Sequence, residues 1–262
     1  MLQRHSQEIL FVLVLVGCVP PPEAPAEVND LVSWLYTHHR DEDPAAMVSG
    51  IDRLDAWLDG HLDEVLEEDW QVTALSEETV DAVDEVNRST EGMVALAVFT
   101  ESAHSIDDAA FAMVGAEIDS VYPDEYSEYE REWATDPDCF LSRECDRAQA
   151  YENYTASFPL NLYTTSELQN EYLWVEGTER RAMVQRNWLL TPPETNNALL
   201  EVDEMFHLNL FMESDAGFVR LQSAWMIVTQ DAVNATTAIR LVGNNYRSSS
   251  ETLDSWLDGY VQ

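Results

Sequence analysis

The chain contains no lysine, and its 13 arginines stand against 50 aspartates and glutamates. The formal net charge is therefore −37 over 262 residues. Proteins bind nucleic acids and anionic lipid headgroups largely through Lys and Arg, which displace counterions from the polyanion. The scarcity of basic residues excludes DNA and RNA as partners.

The excess of acid allows two interpretations. The carboxylates either capture cations or a basic partner protein, or they form a solvated surface suited to a salty environment, where screening over roughly 10 Å removes the self-repulsion. The second is favoured, because the acidic residues are spread along helices. Glu125, Glu128 and Glu130 are close together but lack the spacing of a calcium-binding loop.

The sequence also lacks the compact signatures of catalysis. It contains no Gly-x-Ser-x-Gly, no His-Glu-x-x-His, no glycine-rich phosphate loop and no Cys-x-x-Cys. We therefore expect a protein that is not an enzyme and that holds no cofactor and no metal. A hydrolase whose site is dispersed along the chain, around His104 or His207, remains an alternative.

No apolar run is long enough to cross a bilayer, which takes roughly 20 residues. The run Ile9–Val16 is short and leads into Leu15-Val16-Gly17-Cys18 and then Pro20-Pro21-Pro22. This stretch resembles the bacterial lipobox. The resemblance implies cleavage before Cys18, lipid on that cysteine and an extracytoplasmic protein anchored to a bacterial membrane. Val19, in place of aspartate, favours the outer membrane.

Two cysteines remain, Cys139 and Cys145, separated by five residues. In the oxidising compartment that the lipobox implies, this pair predicts a small-loop disulfide. Free thiols are one alternative. A metal site is the other, and it would need further ligands close by that the sequence does not offer.

The order of helical and strand patterns divides the chain. We expect a signal peptide at 1–17, a lipidated cysteine with a proline-rich tether at 18–28, and an acidic helical segment at 29–88. An α+β domain follows at 89–262, with an irregular, disulfide-bearing insertion at about 115–150. In the helical segment Asp43 and Pro44 begin a helix whose apolar face runs to Val65.

The second half is rich in aromatic and β-branched residues between turn signals. Six candidate strands follow one another: Phe158–Thr164, Gln169–Glu176, Arg181–Leu190, Glu204–Met212, Phe218–Thr229 and Thr236–Val242. A C-terminal amphipathic helix begins with the capping pair Ser248 and Glu251. With Met93–Phe99, these predict a mainly antiparallel sheet of about six or seven strands covered by a helix. The element order from Gly92 onward resembles the helix-grip architecture of the START and Bet v 1 superfamily.

Polar residues inside the predicted strands are the candidate ligand-binding groups. His207 and Asn209 share one face of their strand, opposite Phe206 and Leu208. If the sheet encloses a cavity, they would meet an anionic headgroup together with four further residues. These are Arg186, Arg220, Gln222 and Arg240. Alternatively, the arginines face solvent and pair with carboxylates across strands.

These observations predict a lipid-anchored cell-envelope protein, not an enzyme, that binds a small apolar or amphiphilic ligand in its α+β domain. A structural lipoprotein that uses its acidic surface to hold a basic envelope partner is the main alternative.

Overall fold

The computed structural model describes residues 22–67, 70–84, 90–158, 162–196, 202–228 and 235–260. The predicted signal peptide, the lipobox and Cys18 lie outside the described residues. Within the described part, none of the helices combines the length and the apolar character that crossing a membrane requires.

The fold is α+β, as predicted. The helices are α1 (Val28–His38), α2 (Ala45–Val65), α3 (Glu77–Asp84), α4 (Ile106–Ala110), α5 (Ile118–Val121), α6 (Pro137–Leu141) and α7 (Ala235–Tyr260). A π-helical turn, Phe111–Gly115, continues α4. The strands are β1 (Val94–Ser102), β2 (Tyr126–Trp133), β3 (Arg147–Phe158), β4 (Leu162–Glu176), β5 (Arg181–Leu189), β6 (Glu194–Thr195), β7 (Val202–Ser214) and β8 (Gly217–Val228).

The strands form one eight-stranded antiparallel sheet in the order β1-β8-β7-β5-β4-β3-β2, with the short β6 paired to β4. Short links join β4 to β5 and β7 to β8. The sharpest is the β7–β8 hairpin, in which Ser214 pairs with Gly217. Gly217 has φ +151°, and a Cβ there would overlap the carbonyl oxygen of Ser102. Only glycine fits this turn without strain.

Two of the expected elements are wrong in detail. The segment Thr236–Val242 is not a strand but the first two turns of α7, which therefore begins well before Ser248. Its β-branched residues favour a strand locally. However, Ile239, Val242 and Tyr246 recur at the helical spacing and pack on the same apolar cluster. Packing along the whole helix decides the outcome.

The expected irregular insertion at 115–150 is mostly regular. It contains α5, β2, α6 and the start of β3. In β2 the residues Tyr129, Arg131 and Trp133 are partly buried and alternate with the exposed Glu130 and Glu132. This is the period-two pattern of an edge strand with one face on the core.

Helices cover both sides of the sheet. We call the side that contacts α1 to α3 the N-helix face, and the side that contacts α4 to α7 the C-helix face. On β8, Leu221 and Trp225 belong to the apolar cluster of the N-helix face, whereas Phe218 and Met226 belong to the clusters of the C-helix face. Neighbouring residues of one strand are thus buried in different cores.

Arginines attach α1 to the N-helix face. Arg186 donates to the backbone oxygen of Tyr36 at 3.1 Å, and Arg147 donates to that of His39 at 2.8 Å. These carbonyls lie at the C-terminal end of α1, where a helix has no backbone donors of its own to offer them.

Glu171 on β4 completes this attachment. It accepts from Arg40 Nε at 2.8 Å and Nη2 at 2.6 Å, and from Arg186 Nη2 at 2.7 Å. One carboxylate therefore connects a residue just after α1 with a strand of the sheet.

The predicted disulfide between Cys139 and Cys145 is present, with a Cα–Cα distance of 5.3 Å. It closes a loop around α6, whose Phe140 is fully buried on the C-helix face. The backbone oxygen of Phe140 accepts from Trp174 Nε1 at 3.0 Å. The disulfide thus supports one end of the apolar cluster on the C-helix face.

Candidate ligand-binding hollow

Four of the six candidate residues lie together on the C-helix face. His207 and Asn209 alternate with buried apolar residues on β7, and Arg220 and Gln222 do the same on β8. Asn209 and Gln222 are direct cross-strand partners. The register therefore brings the four side chains to one region of the sheet, opposite α7.

The other two candidates lie elsewhere. Arg186 projects from the N-helix face and is occupied by Glu171 and the end of α1. Arg240 is an exposed residue of α7. The sequence did not distinguish Arg186 from Arg220, because both occupy strands and only the packing of the helices decides what each face meets.

A chain of hydrogen bonds crosses four strands of the C-helix face. Arg220 Nε donates to Asn209 Oδ1 at 2.9 Å, Asn209 Nδ2 donates to Gln185 Oε1 at 3.0 Å, and Gln185 Nε2 donates to Asn170 Oδ1 at 2.8 Å. A guanidinium can only donate, so Arg220 fixes the orientation of each amide in turn. We call this chain the amide relay.

The relay ends at a buried donor. Asn170 has no exposed surface, and its Nδ2 has no hydrogen-bond partner among the residues that the structure describes. Asn170 and Gln185 are not among the residues that the sequence predicts for the site. Both are polar residues at alternate positions of otherwise apolar strands, and that is the signal that could have identified them.

Helix α7 meets the other end of the relay with small polar residues. Arg220 Nη1 donates to Ser250 Oγ at 3.2 Å, and Thr100 Oγ1 donates to the same atom at 3.0 Å. The Gln222 amide completes the set when its oxygen accepts from Arg220 Nη2 at 3.1 Å and its nitrogen donates to the backbone oxygen of Tyr246 at 3.1 Å. Arg220 is thereby bound to neutral oxygens on several sides.

His207 combines burial with some remaining accessibility. Burial lowers the pKa of its imidazole to about 4, so the ring has lost most of its solvation. Its side chain nevertheless keeps some accessible surface and makes no hydrogen bond within the described residues. The same combination holds for Tyr126 and Tyr154, whose pKa values burial raises although both are partly exposed.

The residues beside His207 are also polar or small. Across the sheet, His207 pairs with Asn187, and Asn187 pairs with Asn170. The small residues Ala224 and Ala150 flank this row.

Helix α7 faces the same row with Tyr246, whose ring stands edge-on to the His207 ring with the centroids 5.9 Å apart. Tyr246 OH and Asn187 Oδ1 are buried and have no hydrogen-bond partner in the part of the chain that the structure describes. This face therefore buries several polar atoms that the described chain does not satisfy.

Comparison with solved structures gives low similarity over most of the domain. The protein TTHA0849 from Thermus thermophilus is 12% identical, covers 65% of this chain and 99% of its own, and has a TM-score of 0.39. The protein of unknown function SA2116 from Staphylococcus aureus is 7% identical. The match covers 66% of this chain and 99% of that protein, with a TM-score of 0.41. Major latex-like protein 151 from Panax ginseng is 7% identical. The match covers 62% of this chain and 96% of that protein, with a TM-score of 0.37.

These neighbours have START/Bet v 1-like or related helix-grip folds. The likeness concerns the arrangement of the sheet and the helices and carries no argument about a ligand. No family model and no curated protein matches the chain.

The far side of the C-helix face is rich in tyrosine. Arg131 forms an ion pair with Glu152 at 2.8 Å, and its Nε also donates to Tyr129 OH at 2.7 Å. Burial raises the pKa of the Tyr122 hydroxyl, and the charge of Arg220 opposes that rise. This region offers aromatic surface beside the polar row.

The histidines do not form a hydrolytic site within the described residues. His207 makes no hydrogen bond there to a serine or a carboxylate. His104 Nε2 lies 3.2 Å from Asp258 Oδ1, but the Asp258 side chain is 77% exposed, so this pair lies at the surface. The described chain likewise contains no group of three or more His, Cys, Asp or Glu residues arranged to hold a metal ion.

Proposed function

We propose that this protein is a lipid-anchored, extracytoplasmic binding protein that holds a small amphiphilic ligand in a hollow between the polar row of its C-helix face and α7. The observation that carries the proposal is the set of buried polar atoms on this face, Asn170 Nδ2, Asn187 Oδ1 and Tyr246 OH, which have no hydrogen-bond partner among the described residues. Ligand sites in proteins combine mostly apolar walls with a few fixed polar groups. The amide relay, the polar row and the tyrosines supply both kinds of contact.

The binding proposal is tested on the full-length protein by native mass spectrometry and calorimetry with dodecanoate as the probe. We expect one bound molecule per chain. His207→Trp fills the hollow and should abolish binding, whereas His61→Trp, the same change at an exposed position of α2, should leave it intact. An unoccupied wild-type protein, or equal binding by the two variants, would contradict the proposal.

The anchor is the second part of the proposal and is supported by the lipobox and the proline-rich tether alone. The described chain begins within that tether, at residue 22, and already packs on α2 there, where Ser49 Oγ accepts from the backbone of Ala24 at 3.0 Å. A lipid on Cys18 would therefore hold the folded body close to the membrane. Mass spectrometry of the membrane-extracted protein should find an acylated N-terminal Cys18. An uncleaved Met1 would refute the anchor without affecting the binding proposal.

A basic partner protein remains a second candidate, because one acidic cleft is open. A cleft of about 400 Å³ is bordered by Asp55, Asp59, Glu179 and Asp215, with Arg180 as the cation beside them. A lysine or arginine side chain would be attracted there. Retention of an arginine-rich peptide that weakens with salt and is lost in Asp59→Asn would support this function. Retention that does not change with salt would count against it.

A further inference from the structure

Arg220 differs from the other buried arginines in its partners. Arg186 and Arg131 are each paired with a carboxylate, Glu171 and Glu152 respectively. Arg220 is 3% exposed, and the described chain places only neutral oxygens within hydrogen-bond distance of it. A buried charge without a counterion is costly, and hydrogen bonds from neutral groups offset only part of that cost.

Glu125 is the carboxylate whose charge acts on Arg220, and it compensates the guanidinium only in part. Burial raises the pKa of Glu125, and the attraction of Arg220 does not reverse that shift. The carboxyl group is thus held less readily in its charged form than a carboxylate in a direct ion pair. Within the described residues no carboxylate forms a direct ion pair with Arg220.

The polar row adds donors to this positive charge. The relay leaves Asn170 Nδ2 as a donor whose orientation is fixed. The Asn187 amide makes no side-chain hydrogen bond in the described chain and can turn either end towards a ligand, and Tyr246 OH can donate as well. The wall of the hollow therefore suits a group that accepts hydrogen bonds and does not donate them.

We infer that the ligand carries an anionic, acceptor-only head, of which a carboxylate is the simplest, bound beside Arg220 and the Asn170–Asn187 row. This inference rests on the proposed binding function and specifies its ligand class. The interior selects an anion, whereas the outer surface, with a net charge of −37, attracts cations. Because the preferred charges are opposite, binding of an anion in the interior can be distinguished from adsorption of a cation on the surface.

The experiment compares three probes of equal chain length on the full-length protein: dodecanoate, dodecanol and dodecylamine. Calorimetry at about 0.15 M NaCl screens the surface without removing interior contacts. We expect dodecanoate to bind tenfold to a hundredfold more tightly than dodecanol, which is roughly what hydrogen bonds to a charged group contribute. Dodecylamine should bind only weakly and lose its binding as salt is added.

Each outcome decides a different claim. If dodecanol binds as tightly as dodecanoate, the anionic head is refuted and the binding function stands. If dodecylamine binds most tightly and resists salt, the assigned charge is wrong. If none of the three binds, the proposed function falls together with the inference.

Substitutions test whether the preference for dodecanoate depends on Arg220 and Asn187. Arg220→Gln should reduce the affinity for dodecanoate to that for dodecanol, and Arg220→Lys should keep the preference. Because Arg220 also supports the fold, Asn187→Leu provides an independent test, since Asn187 gives up no internal hydrogen bond. It should weaken dodecanoate binding about tenfold. The same change at Asn153, exposed on the opposite face of β3, should have no effect. An unchanged preference in Arg220→Gln or unchanged affinity in Asn187→Leu would overturn the inference.

Discussion

Replacing Glu171 by glutamine should destabilise the protein more than any comparable surface change. The substitution keeps the shape and removes the charge that Arg40 and Arg186 share. The Arg186 side chain is 2% exposed, so it would become a buried cation without a counterion. Breaking such a pair typically costs about 3 kcal/mol or more. Arg40 is 39% exposed, and its part in the pair adds at most about 1 kcal/mol.

Urea unfolding followed by tryptophan fluorescence measures this loss, and Trp188 lies next to the site, with the Arg186 guanidinium 5.4 Å from its ring centroid. The control is Glu167→Gln, an exposed glutamate on the same strand, which should change the free energy of unfolding by less than about 0.5 kcal/mol. Similar losses in the two variants would refute the argument.

The pH dependence gives the same test a second readout. Burial by itself would raise the pKa of Glu171, but the hydrogen bond from Arg40 and the charges of Arg186 and Arg40 outweigh it, so the pKa is lowered. A lowered carboxyl pKa contributes stability above its unfolded value and loses it as the pH falls through the folded value. The difference between wild type and Glu171→Gln should therefore shrink in acid. A difference that stays constant with pH would contradict the assignment.

Three further predictions follow from the described core. Because burial lowers the pKa of His207 from 6.5 to about 4, the unfolded state binds more protons between these values. Stability should rise with pH across this window, and His207→Leu should flatten the rise in urea titrations. Reducing the bond between Cys139 and Cys145 should cost roughly 2 kcal/mol through the entropy of its short loop, measured as a fall in Tm that the Cys139→Ser variant no longer shows. Gly217→Ala should destabilise by more than about 1 kcal/mol, since the new Cβ would meet the last carbonyl of β1. Gly60→Ala, in open space on α2, should stabilise slightly in the same assay.

The general architecture could be predicted because the sheet strands carry strong local patterns. The alternation of Phe206 and Leu208 with His207 and Asn209 places them on opposite faces, and the structure does the same. The pattern could not say that both faces are buried. That depends on α1 to α3 covering one side and α7 the other, and such contacts join residues far apart in sequence.

The candidate site was predicted in part for the same reason. His207, Asn209, Arg220 and Gln222 share the face that meets α7, and alternation within two strands suffices to group them. Arg240 was wrongly placed in a strand, because the β-branched residues around it outweighed the helical spacing that continues to Tyr246. Asn170 and Gln185 gain their importance only from the register between strands, which no single segment encodes.

The absence of lysine and the inward use of arginine also govern how the folded protein meets proteases and reagents. Trypsin cuts only after these two residues, and Arg186 and Arg220 sit in hydrogen-bonded strands with their side chains almost completely enclosed. Amine-directed labels find no side chain to modify anywhere in the sequence. In the folded body trypsin should therefore cut first at exposed arginines such as Arg40 and Arg240, and cross-linkers that require a lysine side chain have no target.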